Sequence, residues 1–514
     1  MKPQLDALRP VLGIVFLAGY AWQTFAPGSF GTDLFLGVGA VLFVISVPWS
    51  SAFHRAFALV AFVALGAVIF TGRFDFADFL GGMPTYFGIV AVLLVLSIAG
   101  YPIQAARYEV QIRALMAALT RRGVSIKATA GVLGHVLGAV LDVGAFVLID
   151  VISGRSAPKE RLEALKWAGR TFSFAPLWTN LNVLTATTIV LTGVSYPMLL
   201  AVTLPFVLIG LGGTLLFAQK AGGEVEEIPQ APLDRGAAAV LLYPVVLVTA
   251  VALINLIFPS LPLTAAIAVT VATIVLSIAT LAAVLTRGAS PLARLGQEAR
   301  GSLTASRSEF ALFGAAGILV LSLKALGALA PLGALLSSLP TVLVAPALAA
   351  VLTRRTSPLA RLGQEARGSL TASHSEFALF AAAGILVLSL KALGALAPLG
   401  ALLSALPTVL VAPALALIMG VGFVAGIHVI PMVLLLNTAF PLDSGPAPAL
   451  WAAALLLGAQ STLLLTPFSS AVTMLSRLTG LHPLEIGPRR NLGFCLAVAV
   501  AALLYLGLLT LLLL

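Results

Sequence analysis

Residues 166–185, KWAGRTFSFAPLWTNLNVLT, and residues 456–475, LLGAQSTLLLTPFSSAVTML, decide how this chain must fold. Each stretch is mainly apolar and is interrupted at a proline, Pro176 in the first and Pro467 in the second. Ser173, Thr179, Asn180, Asn182 and Thr185 gather around Pro176, and Thr466, Ser469, Ser470 and Thr473 gather around Pro467. Proline removes a backbone donor and frees a carbonyl one turn earlier, so each stretch reads as a helix broken in its middle. A lone break is an ordinary kink whose hydroxyls bond to the preceding turn. Two breaks at matching places point instead to a site.

The surroundings of the breaks fix the solvent. Sixty per cent of the 514 residues are hydrophobic and 9% are charged, against roughly 45–50% and about 25% in soluble domains. Apolar runs over 33–52, 86–105, 197–218, 236–258, 262–286 and 493–514 each reach the roughly 20 residues that cross a bilayer core. The net charge of +10 sits in the short loops between them, at Arg121, Arg122, Lys127, Arg155, Lys159, Arg161, Lys166 and Arg170. Such placement is the signature of cytoplasmic loops rather than of a nucleic-acid partner. The single cysteine, Cys495, excludes an intrachain disulfide and a cysteine-based metal cluster. His-Glu-x-x-His, Walker and Gly-x-Ser-x-Gly motifs are absent, and an enzyme is not expected. The expectation is an all-α polytopic membrane protein of roughly 11–13 spans, in the inner (plasma) membrane, with its N-terminus cytoplasmic and its C-terminus outside.

Two repeats run through the chain. Residues 281–349 and 348–416 differ at five of 69 aligned positions: Gly288/Arg355, Ala289/Thr356, Arg307/His374, Gly314/Ala381 and Ser338/Ala405. This is a recent tandem duplication, and removing 67 residues leaves 514 − 67 = 447. Because the extra copy can add an even number of crossings, the expectation is a passive insert. A fainter repeat links Ser97, His135 and Pro176 to Ser389, His428 and Pro467 at offsets of 291 to 293. Residues 128–152, rich in glycine, are flanked on both sides by basic loops, so they read as a re-entrant hairpin from the cytoplasm. Residues 418–440 lack nearby basic residues and would enter from outside. The halves are then inverted, as in many secondary transporters. The expected segments are N-terminal helices over 1–84, a first repeat over 85–230 (hairpin 128–152, broken helix 168–195) and linking helices over 231–286. The near-duplicate 287–353 of 354–420 follows, then a second repeat over 354–514 (hairpin 418–440, broken helix 448–480).

Candidate chemistry lies at the breaks and in the hairpins. Carbonyls freed at Pro176 and Pro467, with the side chains of Thr179, Asn180, Asn182, Ser469, Ser470 and Thr473, make an oxygen-rich site suited to sodium as coupling ion. The half-helix after each break points its positive N-terminus at an anion. His135, Asp142 and His428 lie in apolar runs, where ionisable groups face a cavity or a partner. His135 and Asp142 could relay protons, since histidine titrates near physiological pH; a His–Asp hydrogen bond holding the hairpin closed fits equally well. No cofactor is expected.

Inverted halves of this kind resemble the ion transporter superfamily, which includes divalent anion–sodium symporters, arsenite exporters and citrate transporters. Gly426-Ile-His428-Val-Ile-Pro431, Thr466-Pro467-Phe-Ser469-Ser470, Gly480-Leu-His-Pro-Leu-Glu485-Ile-Gly487 and Asn491 look like the C-terminal half of uncharacterised bacterial members. The resemblance covers 85–514 minus one duplicate and implies a scaffold with a moving transport domain, often as a homodimer. The expected function is secondary active transport of a small, anionic solute driven by sodium or protons. A cation/proton antiporter using His135 and Asp142 is one alternative, and a non-transporting membrane assembly subunit is another. The charged loops give a topology test on a Cys495→Ala background. Cysteines at 30 and 444 should react with an impermeant thiol reagent from outside, and cysteines at 160 and 300 should not. External labelling at both 125 and 156 would remove the inner hairpin and with it the inverted repeat.

Overall fold

The computed structural model describes residues 2–72 (without 27, 29, 50 and 51), 108–153, 158–222, 235–285 (without 259 and 260), 397–425 and 447–513 (without 468). Scattered positions within 74–99, 291–322 and 432–440 are also described. The structure is all-α, with no strand among the described residues. Its helices are α1 (Lys2–Phe25), α2 (Phe30–Ser46), α3 (Ala52–Phe70), α4 (Tyr108–Arg121), α5 (Ile126–Leu141), α6 (Gly144–Ser153), α7 (Pro158–Phe172) and α8 (Val183–Thr192). They continue as α9 (Tyr196–Lys220), α10 (Arg235–Ile257), α11 (Leu263–Leu285), α12 (Ala397–Ala405), α13 (Thr408–Val424), α14 (Pro448–Thr462), α15 (Ser470–Thr479) and α16 (Arg490–Leu513). The segments Tyr196–Lys220, Ala265–Ala282 and Glu485–Leu513 are long and apolar enough to cross a membrane. On α16, Leu492, Leu496, Val500, Leu504 and Leu508 stand exposed at every fourth position, while Asn491, Cys495, Ala502, Leu506 and Thr510 turn inward. An outward stripe of leucine is a liability in water and the normal surface of a polytopic membrane protein in lipid.

The chain divides into two compact units, one of residues 1–94, 299–402 and 438–440, the other of 95–298, 403–437 and 441–514. In the first unit, Phe16 meets Phe35 at 4.8 Å, Phe310 at 5.1 Å and Phe87 at 6.2 Å between ring centroids. Phe43, Ala58, Ala61, Ala315 and Ile318 form an adjoining buried cluster. The fully buried Arg9 of α1 donates to the Ile45 carbonyl at the end of α2 (2.7 Å), where a cation complements the helix dipole.

The second unit is built around α14, in which every residue from Ala449 to Ser461 is buried. A helix that is apolar all round belongs in the middle of a bundle. It is reached through small residues: a Cβ added at Gly458 would stand 2.2 Å from the Ala416 carbonyl oxygen of α13. The same device joins α5 to α7. Gly134 lies against the Ala168 backbone and Gly138 against the Phe172 ring, so the glycines of 128–152 are a packing face. Helices α5 and α6 are separated by the two-residue turn Asp142-Val143.

The two broken helices share a plan. Helix α7 has 15 residues, and after the break α8 has ten; α14 has 15 residues, and after its break α15 has ten. Each ten-residue half ends on a left-handed glycine, Gly193 (φ 66°) or Gly480 (φ 71°). Several boundaries depart from the sequence expectation. The first broken helix begins at Pro158 rather than near 168, because Lys159 to Lys166 form an amphipathic turn and not a loop. Helix α13 starts at Thr408 and runs straight through 418, its Pro413 held inside the helix, so the expected edge of the second hairpin is continuous helix. The hairpin's tip, with His428, lies outside the described residues, as does most of the duplicated segment.

Part of the first copy is packed into the first unit. Phe310, Ala311, Ala315 and Ile318 are buried in the first unit, and Gly314 sits so close to Phe43 that a Cβ there would be 2.3 Å from its Cδ2. Overpacking of this kind costs about 1–3 kcal/mol. Gly314→Ala should therefore lower the melting temperature of the purified protein. Gly212→Ala, with nothing near its added Cβ, should not. Equal melting of both variants would remove the close seat.

Candidate functional site

The first break begins where α7 ends. After Phe172 the chain makes a 3-10 turn over Ala175–Leu177, runs through Trp178 to Leu181 and re-enters helix at Val183. Its freed carbonyls find side-chain donors: Thr185 Oγ1 donates to the Pro176 carbonyl, and Tyr196 Oη donates to that of Trp178. Thr179 Oγ1 donates to Ala139 of α5 (3.0 Å) and accepts from the Leu181 N–H (3.2 Å). Asn182 Oδ1 accepts from the Leu184 N–H (3.0 Å), capping α8. One side chain in this run is left over. Asn180 is fully buried, and neither its Nδ2 nor its Oδ1 has a hydrogen-bond partner among the described residues.

The second break runs from Leu463 to Ser469. Ser469 caps α15, accepting from the Val472 N–H (3.1 Å) and donating to the Thr466 carbonyl (3.3 Å). Thr466 is buried, while Pro467, Ser470 and Thr473 are half-buried. The carbonyl oxygens of Leu464 and Leu465 pack so tightly on Gly487 that a Cβ there would sit 2.9–3.0 Å from them. A backbone must approach a backbone at this position, and glycine permits it.

The two breaks lie together. Gly169 of α7 packs against Leu464 of the second break and Leu475 of α15. Helix α14 packs against the 3-10 turn of the first break and against α8. Of the side chains singled out in the sequence, Thr179, Asn182 and Ser469 are spent on holding the breaks in shape, while Asn180 is fully buried and unspent. Gln460, on α14 one turn before the second break, also has its Oε1 buried without a partner among the described residues. A reading centred on prolines passes over it; the lone amide inside the apolar run 448–462 is the signal that marks it.

Charged groups brace the assembly from outside the breaks. Arg161 of α7 grips Asp150 of α6 with two bonds (2.6 and 2.8 Å) and reaches the Leu478 carbonyl at the end of α15 (3.0 Å). Arg170 donates to Asn491 Oδ1 and to the Arg490 carbonyl, each at 3.0 Å, while its guanidinium lies over Trp167 and Phe494. Both arginines are thus occupied, and neither leaves a free cation at the breaks.

His135 and Asp142 part company in the structure. His135 Nδ1 lies 3.1 Å from the Thr171 carbonyl oxygen, and Trp178 Nε1 donates to His135 Nε2 at 3.0 Å. No hydrogen bond or ion pair between His135 and Asp142 occurs among the described residues. Asp142 caps α5 at the turn before α6 with φ 51° and ψ −138°, and is the one non-glycine with positive φ among the described residues. Its side chain is exposed at the surface of the chain.

No family model and no curated protein matches this chain. Among solved structures it is similar to the YdaH transporter of Alcanivorax borkumensis, at 13% identity and a TM-score of 0.44, over 89% of this chain and 98% of that one.

The backbone at Asp142 gives a direct test. A side chain held in that region costs about 1–3 kcal/mol, so Asp142→Gly should raise the melting temperature in detergent. Asp142→Ala should lower it or leave it unchanged. A glycine variant that melts below the parent would mean the carboxylate contributes more than the turn costs.

Proposed function

We propose that this protein is a secondary active transporter that carries a small, anionic solute at a site between its two broken helices. The observation that carries this reading is the Asn180 amide. Buried polar groups are almost always paired, and an unpaired one costs about 1–3 kcal/mol. Here the carbonyls of Pro176 and Trp178 are satisfied by Thr185 and Tyr196, Thr179 is spent on the Ala139 carbonyl of α5, and the amide is left spare. A solute that accepts from Asn180 Nδ2 removes the cost. The N-termini of α8 and α15, which begin at the breaks, favour negative charge in the same place. The amide oxygens of Asn180 and Gln460 are ligands of the kind a dehydrated sodium ion takes, so sodium is the coupling ion in this reading. The resemblance to the ion transporter superfamily and a place in the inner membrane belong to the same proposal. Proton coupling through His135 and Asp142 is the weaker alternative, because both nitrogens of His135 are already engaged.

The test is uptake in proteoliposomes of a panel of small carboxylates and oxyanions under imposed sodium gradients. Asn180→Ala should lower uptake about 10- to 150-fold, the range for losing a hydrogen bond to a charged group, and Gln460→Leu should weaken its sodium dependence. Thr510→Ala, whose hydroxyl bonds within α16, should transport normally. If Asn180→Ala instead raises stability and leaves uptake unchanged, the amide is an uncompensated burial and no solute contact.

A further inference from the structure

We propose that His135 is a positioning residue for this site: through Trp178 it fixes the segment of the first break that presents Asn180. The inference rests on Asn180 being the solute contact. An indole N–H can only donate, so His135 Nε2 accepts from Trp178 Nε1, and the imidazole proton sits on Nδ1, donated to the Thr171 carbonyl. The ring is neutral and has no nitrogen left over. It also stacks on the indole, with centroids 5.8 Å apart and planes at 26°.

The bonds around this pair form a sequence that ends at Asn180. Helix α5 offers the break a single edge, with Gly131, His135 and Ala139 spaced one turn apart. Thr171 Oγ1 donates to the Gly131 carbonyl (2.7 Å), His135 holds Thr171 and Trp178, and Thr179 holds Ala139. On the far side Tyr196 holds the Trp178 carbonyl. Residues 178 and 179 are pinned by their side chains, and the backbone that leaves them turns Asn180 inward with its amide unspent. Of these ties, the bond from His135 is the one that reaches the Trp178 side chain. Without it the half-buried indole N–H would lose its partner, and the lowest-cost relief is for Trp178 to swing toward solvent, taking 179 and 180 with it.

A residue that merely glues two helices together would, when lost, loosen the bundle everywhere. A positioning residue loosens position 180 first. Asn180→Cys in a Cys495→Ala background places a thiol at the site, and Thr510→Cys in the same background places one at a buried point of α16. Reactivity toward N-ethylmaleimide in detergent reads both. Adding His135→Leu should raise labelling at 180 about tenfold, the size expected for one lost buried hydrogen bond, and leave 510 protected. Trp178→Phe, which keeps a ring and loses the donor, should do the same. His135→Gln, whose amide supplies both a donor and an acceptor, should stay near the parent. Unchanged labelling at 180 with His135→Leu, a thiol at 180 already reactive in the parent, or equal rises at 180 and 510 would each overturn the proposal. Loss of the solute reading is separate, since that would appear as normal uptake by Asn180→Ala with the labelling pattern intact.

Discussion

Hydrocarbon offers no hydrogen bond to a peptide group, so a helix that breaks inside a membrane protein must find protein partners for every group it releases. In the first break the carbonyl of Thr171 is met by His135 of α5, and those of Pro176 and Trp178 are met by Thr185 and Tyr196. Gly131, Gly134 and Gly138 let α7 approach until backbones nearly touch, and only at that distance can Thr171 and Thr179 reach the carbonyls of Gly131 and Ala139. The glycine face and the hydroxyls are therefore one device, since a larger residue at 134 would push the donors out of range. The break and the site around Asn180 both depend on this close contact.

The second break is stabilised differently. Its carbonyls at Leu464 and Leu465 lie against Gly487 and the π-helical turn Glu485–Arg489, and Arg170 ties that region to α7 through Asn491 and Arg490. Asn491 also donates to the Ile486 carbonyl (2.8 Å), so one buried amide closes the turn and receives the arginine. The same short stretch that starts α16 thus supports both broken helices, and substitutions far from the prolines can disturb the site.

What the sequence revealed follows from range. Pro176 and Pro467 act within one turn of themselves, freeing the carbonyl of the preceding turn, and the breaks fall where the prolines are. The two-residue turn at Asp142-Val143 falls inside the glycine-rich run, whose Gly134 and Gly138 pack on α7. The start of α7 was hidden because lysines and arginines, read as loop, also suit an amphipathic helix whose Arg161 grips Asp150. The pairing of His135 with Trp178 spans 43 residues and leaves no local signal. Asn180 was visible as a polar residue near a proline, but its distinction from Thr179 and Asn182 is a matter of which bonds are already made, and that requires coordinates.

A chain that carries two nearly identical segments faces an ambiguity as it is synthesised, because either copy has the residues to claim the same seat. Beside Phe43 the seat is filled by the copy with glycine at 314, where the other copy has Ala381. The added methyl would meet a buried ring, and about 1–3 kcal/mol of overpacking translates to roughly a 5- to 150-fold preference for one copy over the other. At this seat a single carbon atom distinguishes the two copies. Reverting that difference would let the copies exchange places, and a duplication that is now part of the fold would become a source of kinetic traps.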